Sequence, residues 1–225
     1  MLMAPDKKAR YSLLQRVAPL LRHNILGNFH PLGLLAELVL RHLNASNDAK
    51  AKDFALKLQD QTRVTRDATL SLFSWLSDEE KSPTNAGQEL ATCIELVSAE
   101  FAMRGIALEA SIDVDAWVQA RAIREVFLGS LLAVTDQDFP PQEVRVRAVA
   151  GVTAVEITID AKGSTLPEGA MGYRITESDV QSLAELNSCH LMRSGTRTTL
   201  RVPCKTAQKS PEPNTSARPT ALGPL

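Results

Sequence analysis

Two of the chain's four histidines, His23 and His30, fall within one short run, Arg22 to Leu38, which reads RHNILGNFHPLGLLAEL. An imidazole can serve as nucleophile or general base near neutral pH, so these are the side chains of the run that could do chemistry. Around them stand Gly27, Gly33 and Pro31. A helix made only for packing avoids such residues, since in its interior Gly costs about 1 kcal/mol and Pro about 3 kcal/mol relative to Ala. Something besides helix stability has selected them. The three cysteines, Cys93, Cys189 and Cys204, are odd in number and have no CxxC spacing. That argues against a disulfide framework and a zinc site, and the thiols read as those of a protein in a reducing compartment.

The elements that position the run follow from periodicity. From about Ala9 to Leu43, apolar residues recur at helical spacing (Leu13, Val17, Leu20, then Leu32, Leu35, Val39), which predicts one long helix. The cluster Asn44–Asp48 interrupts it, with Ser46 or Asn47 placed to cap a second helix. That helix carries Phe54, Leu58, Gln61, Thr65, Ala68, Leu72 and Trp75 at alternating spacings of four and three. Two long helices joined by so short a turn form an antiparallel hairpin. A hairpin has one internal seam, and the first helix has apolar residues on more than one face. The economical solution is a homodimeric four-helix bundle, with packing on the rest of the same chain as the alternative.

After a polar linker ending near Gly87 the pattern changes. A helix through Leu90, Ile94, Val97 and Phe101 stops at Gly105, and IALEASID alternates as a strand. QARAIREVFLGSLLAV is helical, EVRVRAVA and VTAVEITIDA pair around Gly151, SDVQSLAEL is a short helix started by Ser178, and two strands close around Gly195. This order predicts an α+β sandwich with helices on one face of a mixed sheet. The domains are then 1–82, 83–205 and a Pro-, Ser- and Thr-rich tail, 206–225, expected to be disordered.

Composition narrows the function classes. With 44% hydrophobic and only 4% aromatic residues the core must be largely aliphatic. A net charge of -1, from 25 basic and 26 acidic residues, gives no electrostatic footprint for nucleic acid or a membrane surface. No apolar run approaches the length of about 18 residues that spans a bilayer, and the N-terminus lacks the apolar core of a signal peptide. The expectation is a cytoplasmic protein.

A dimerising hairpin followed by this order of helices and strands resembles the core of two-component histidine kinases, in which a histidine-phosphotransfer hairpin precedes an ATPase-like domain. The run His23, Asn24, Ile25, Leu26, Gly27, Asn28 is similar to the family's phosphoacceptor motif, and FHPLGLLAEL to the second half of its first helix. The resemblance implies His23 as nucleophile and phosphoryl carrier, Asn24 as the side chain that sets the imidazole tautomer, and Arg22 as an auxiliary contact to phosphoryl oxygens. It implies Leu26, Gly27 and Phe29 as partner-docking residues. Gly27 and Pro31 would loosen or bend the helix beyond His23 and open it to a partner loop. His30 is the lesser candidate because Pro31 follows it.

The chain also departs from the family. Asn24 stands where kinases place an acid, and Gly27 where phosphatase-competent members place an amide or hydroxyl. In the ATPase-like half, Gly129 and Ala133 occupy positions of the family's asparagines, and neither can ligate magnesium. Asp160 remains from the family's Asp-x-Gly-x-Gly loop and reads as a strand-end cap. Lys162 and Ser164 replace the glycines, or Gly163 is displaced by one. Mg-ATP needs metal coordination and backbone donors close to the phosphates. The fold class expected is therefore α+β: a dimeric helical hairpin, then a degenerate histidine-kinase-type ATPase-like sandwich. The function expected is a histidine phosphotransferase that shuttles phosphoryl between response-regulator receiver domains through His23, holds no cofactor, and uses magnesium supplied by the receiver. The alternatives are an inert pseudokinase acting as a dimeric interaction protein, and a divergent ATP-dependent kinase.

Overall fold

The computed structural model describes residues 5–74, 83–164 and 173–205. Trp75, the linker residues 75–82, the stretch 165–172 and the tail from Thr206 lie outside the described residues, as does the side chain of Leu72.

Helix α1 (Pro5–Asn44) runs unbroken for 40 residues, with Pro19 and Pro31 inside it. At 1.5 Å per residue it is about 60 Å long, and its two ends have different work. Its first half buries Ala9, Leu13, Val17, Leu20 and Leu21 in the same core cluster as Phe101, Phe127 and Leu183. Its second half pairs with helix α2 (Asp48–Ser74). The turn between them has Ser46 at φ 53°, and the Asn47 side chain accepts from the Lys50 N–H at 3.3 Å, making Asn47 the cap. Along α2, the residues turned to α1 are the expected stripe: Ala51 is buried, Phe54, Leu58, Gln61 and Ala68 are half-buried, and Thr65 is 2% exposed. The Thr65 hydroxyl donates to the Asn28 carbonyl at 2.9 Å, which satisfies a polar group that the seam would otherwise bury unpaired.

The rest of the chain is α+β in the order expected, with three short additions. Strand β1 (Pro83–Asn85) leads into helix α3 (Ala86–Met103), whose first turn is capped by the Asn85 side chain. Then come strands β2 (Ala107–Asp113) and β3 (Trp117–Gln119), and a six-residue π-helix, Ala122–Phe127, continuous with helix α4 (Leu128–Thr135). Strands β4 (Glu143–Ala150) and β5 (Ala154–Lys162), helix α5 (Glu177–Leu186), and strands β6 (His190–Ser194) and β7 (Arg197–Pro203) complete the fold. Helix α5 is started by Thr176 rather than Ser178: Thr176 and Asp179 form a reciprocal capping box.

The main sheet has the order β2-β4-β5-β7-β6, with β2 parallel to β4 and the other neighbours antiparallel. Alternate residues Val144, Val146, Val155, Ile157, Ile159, Leu200 and Val202 are buried in the core shared with α3, α4 and α5. The residues between them, among them Arg145, Arg147, Asp160 and Arg197, lie on the opposite face.

Candidate functional site

His23 sits where α1 passes from one set of partners to the other. Leu20 and Leu21, the last deeply buried residues of its first half, lie just before it, and Asn24 and Asn28, half-buried towards the hairpin, just after. His23 and Arg22 are exposed. His23 has no hydrogen-bond or ionic partner among the described residues, so its imidazole is unengaged. Asn24 does not meet it: the Asn24 Oδ1 accepts from Asn28 Nδ2 at 3.0 Å, one helical turn away. The expected tautomer-setting bond to His23 is absent in this structure, because the amide is already engaged along the helix.

Helix α1 also does not break at its irregular residues. What they change is the backbone surface. A Cβ on Gly27 would meet nothing within 4 Å, and Pro31 has no N–H to give to the Gly27 carbonyl. One turn beyond His23 the helix therefore offers bare backbone and a Gly27 carbonyl that lacks its usual donor four residues on. Leu26 at 60% and Phe29 at 49% exposure flank it, an apolar shoulder beside the imidazole. His30 is exposed as well.

A charged network missed by the sequence reading holds this segment to the α/β half. Arg16 bonds Asp136 through Nε at 2.8 Å and Nη2 at 2.9 Å, and reaches both carboxylate oxygens of Glu100. Arg104 joins at Glu100 (3.2 Å) and donates to the Thr135 carbonyl at 2.5 Å. Burial alone would push the Glu100 carboxyl up; the hydrogen bonds and charge of Arg16, with the charge of Arg104, outweigh it and hold it below its ordinary range. Nearer the N-terminus, Glu125 in the π-helix accepts from Arg10 (2.7 Å), Arg121 (2.8 Å) and Asn187 (2.9 Å), while its neighbour Arg124 pairs with Glu89 at 2.5 Å. Arg104–Glu100 and Arg121–Glu125 are helix neighbours four residues apart, but the partners that join α1 to the α/β half, Arg16 with Glu100 and Asp136 and Arg10 with Glu125, are far apart in sequence and carry no local motif.

The place the resemblance gives to a magnesium nucleotide lies beside Ala133 on α4. The space there, bounded by Ser130, Ala133, Val180 and Thr198, is about 20 Å³, room for about one water. Glu177 and Arg193 pair across its edge at 3.0 Å. On the same helix a Cβ at Gly129 would already lie 3.4 Å from Leu183 and 3.7 Å from Val180 of α5. Among the described residues no group of three or more His, Cys, Asp or Glu is placed to hold a metal ion. Neither Gly129 nor Ala133 supplies a side-chain ligand for magnesium at this place.

Asp160 is not a strand-end cap. Ile157 and Ile159 face the core, so by alternation Asp160 faces away from α4, where it accepts from Arg197 at 2.6 and 3.2 Å as a cross-strand pair. Gly163 has φ +70°, and a Cβ there would come 2.8 Å from the Gln142 side chain, so it is a turn residue. Two of the three thiols are poor nucleophiles: burial pushes Cys93 well up and Cys189 to about 12.

No family model matches the chain and no curated protein does. Among solved structures, it is similar to a histidine kinase from Burkholderia phymatum at 18% identity and a TM-score of 0.41, over 84% of this chain and 97% of that one. It is similar to the ATP-binding domain of PrrB from Mycobacterium tuberculosis at 18% and 0.43, over 57% and 100%. With the Acinetobacter baumannii histidine kinase AdeS the figures are 10% and 0.40, over 78% and 96%. Identities and scores at this level transfer no residue roles. Among the described residues, no helix is long and apolar enough to cross a membrane.

Proposed function

We propose that the protein is a dimeric histidine phosphotransferase that carries phosphoryl between receiver domains on His23. The observation that carries this reading is the pairing of two features in one chain: an exposed imidazole on an apolar, backbone-open shoulder of α1, and a companion α/β half whose α4, with Gly129 and Ala133, offers no side-chain ligand for magnesium. In the transfer step a ring nitrogen of His23 attacks the phosphorus of a receiver's aspartyl phosphate in line. The P–N bond forms as the P–O bond to the aspartate breaks, and the carboxylate leaves with the electron pair. The second transfer reverses these bonds onto another receiver. Magnesium and the acidic pocket belong to the receiver. Arg22 lies beside His23 for contact with phosphoryl oxygens, and Leu26, Gly27 and Phe29 form the docking shoulder. The exposed apolar residues Leu40 and Leu43, three apart near the end of α1 and away from the docking shoulder, give the dimer its face.

A second reading, an inert dimeric interaction protein, is favoured by one observation: Asn24 is bonded to Asn28 and leaves His23 without an orienting partner. The deciding experiment offers purified wild-type and His23→Ala protein a panel of phosphorylated receiver domains, with Mg-ATP in parallel. Label arriving from a receiver, not from ATP, and lost in the variant is the expected result. Label from ATP would replace this reading with a divergent kinase; no label from any donor would favour the interaction protein.

A further inference from the structure

Beside His23 lies a cavity of about 490 Å³, within the size range of small-molecule sites. One wall is α1, with Pro19, Leu20 and His23; another is α3, with Leu96, Ala99 and Met103; Tyr173 and Arg174 close a third side. The wall is mainly apolar, and its rim leaves Met103 at 76% and Tyr173 at 61% exposure. Such an opening between helices is not filled by the protein's own described side chains.

Its charges decide what would fill it. Six ionised side chains line the cavity besides His23: Arg16, Arg104, Arg174, Glu95, Glu100 and Asp136. Arg16, Arg104, Glu100 and Asp136 neutralise one another in the network described above. Arg174 is turned to Asp138. Glu95, exposed at the mouth of the cavity, has neither a hydrogen bond nor an ion pair among the described residues, and is the lining carboxylate without a protein counter-charge. We infer that the cavity is a binding site for a small molecule with an apolar, aromatic or alkyl, body and a single ammonium group. The body lies on Leu20, Leu96, Ala99 and Met103; the cation meets Glu95, with the Tyr173 ring and the Met103 thioether as soft neighbours. An anionic ligand of the same shape meets a like charge at the mouth, and a purely apolar one gains nothing from Glu95. Because α1, α3 and the residues before α5 all contribute, an occupant touches both halves of the protein next to the imidazole. Binding itself does not depend on the phosphotransferase reading.

The test uses the full chain with ¹³C-methyl-labelled methionine, following Met103 in the cavity and Met192 on β6 as the remote control. The probes are 4-phenylbutylamine, 4-phenylbutanol and 4-phenylbutyrate. Saturable shifts of Met103 but not Met192 with the amine, absent with the carboxylate, are expected. Glu95→Gln should weaken the amine about threefold, and Ala99→Trp should abolish it by filling the space. Equal shifts with all three probes, no saturable shift with the amine, or shifts indifferent to Glu95→Gln would overturn the inference. Labelling of His23 from a phosphorylated receiver is read separately in the same variants, so failure of ligand binding and failure of phosphotransfer remain distinct results.

Discussion

Arg16 on α1 and Asp136, the residue that ends α4, are joined by two parallel hydrogen bonds of 2.8 and 2.9 Å between residues 120 apart in sequence. Fork-to-carboxylate contacts of this kind are strong and directional. Asp136 is 5% exposed and Glu100 15% at the side chain, so removing the arginine strands charge away from water. Arg16→Met should therefore lower stability by about 3 kcal/mol, read as a shift in the midpoint of urea unfolding. Arg16→Lys, which keeps the charge but not the fork, should recover only part of it.

The same network sets a pH dependence. Glu100 is held below its ordinary value of 4.5 in the folded protein, mainly by Arg16 against the opposing effect of burial. Its contribution is thus complete above that ordinary value and is lost as pH falls through the lowered folded value. In Arg16→Met only Arg104 remains to oppose burial, so the downward shift and the contribution that comes with it shrink. The stability gap between wild type and variant should narrow from pH 6 to pH 3 in denaturation curves at fixed ionic strength.

Restoring an asparagine on α4 should not restore a nucleotide site. Gly129→Asn sets its Cβ 3.4 Å from Leu183, and its polar end must then displace α5. Overpacking of this kind costs about 1–3 kcal/mol. Unfolding should shift accordingly, while a fluorescent ATP analogue with magnesium should show no saturable binding to either form.

The exposed apolar face of the hairpin can be separated from the fold. Leu40 is 61% exposed and lies away from the α2 seam, so Leu40→Glu should change monomer stability by no more than about 0.5 kcal/mol. If α1 supplies the dimer face, the variant should shift to monomer in sedimentation equilibrium at concentrations where wild type is dimeric; a wild-type protein monomeric throughout would remove the dimer from the proposal.

Much of this architecture is legible in local spacing. The α2 stripe from Phe54 to Ala68 is visible because a helix seam repeats every three or four residues, whatever it packs on. Periodicity names a face, though, and not its partner: Leu13, Val17 and Leu20 form as good a stripe as Leu32, Leu35 and Val39, yet the first is buried in the α/β core and the second turns to α2. For Asp160 the alternation was readable, since Ile157 and Ile159 point inward and put the carboxylate on the other face. At the start of α5, Thr176 with Asp179 three residues on is a capping box that outcompetes Ser178. The three-residue strands β1 and β3 are too short to show a period, and the π-helix has no sequence signature at all. Nor can spacing bring Arg16, Glu100 and Asp136 together, because their meeting is a product of the tertiary fold.

One unbroken helix serves both halves of the molecule, and that ties them in rotational phase. Each residue of α1 advances the helix by about 100°. An extra residue between Leu21 and Asn24 would keep the core packing up to Leu21 yet turn Ile25 away from that core and swing the hairpin, with Leu26 and Phe29, by that angle relative to it. Seven extra residues would bring it back to within about 20°, displaced by about 10 Å along the axis. Length in this segment behaves as a dial with discrete settings: His23 can travel along the rod in near-whole heptads, but single insertions and deletions re-aim everything beyond it.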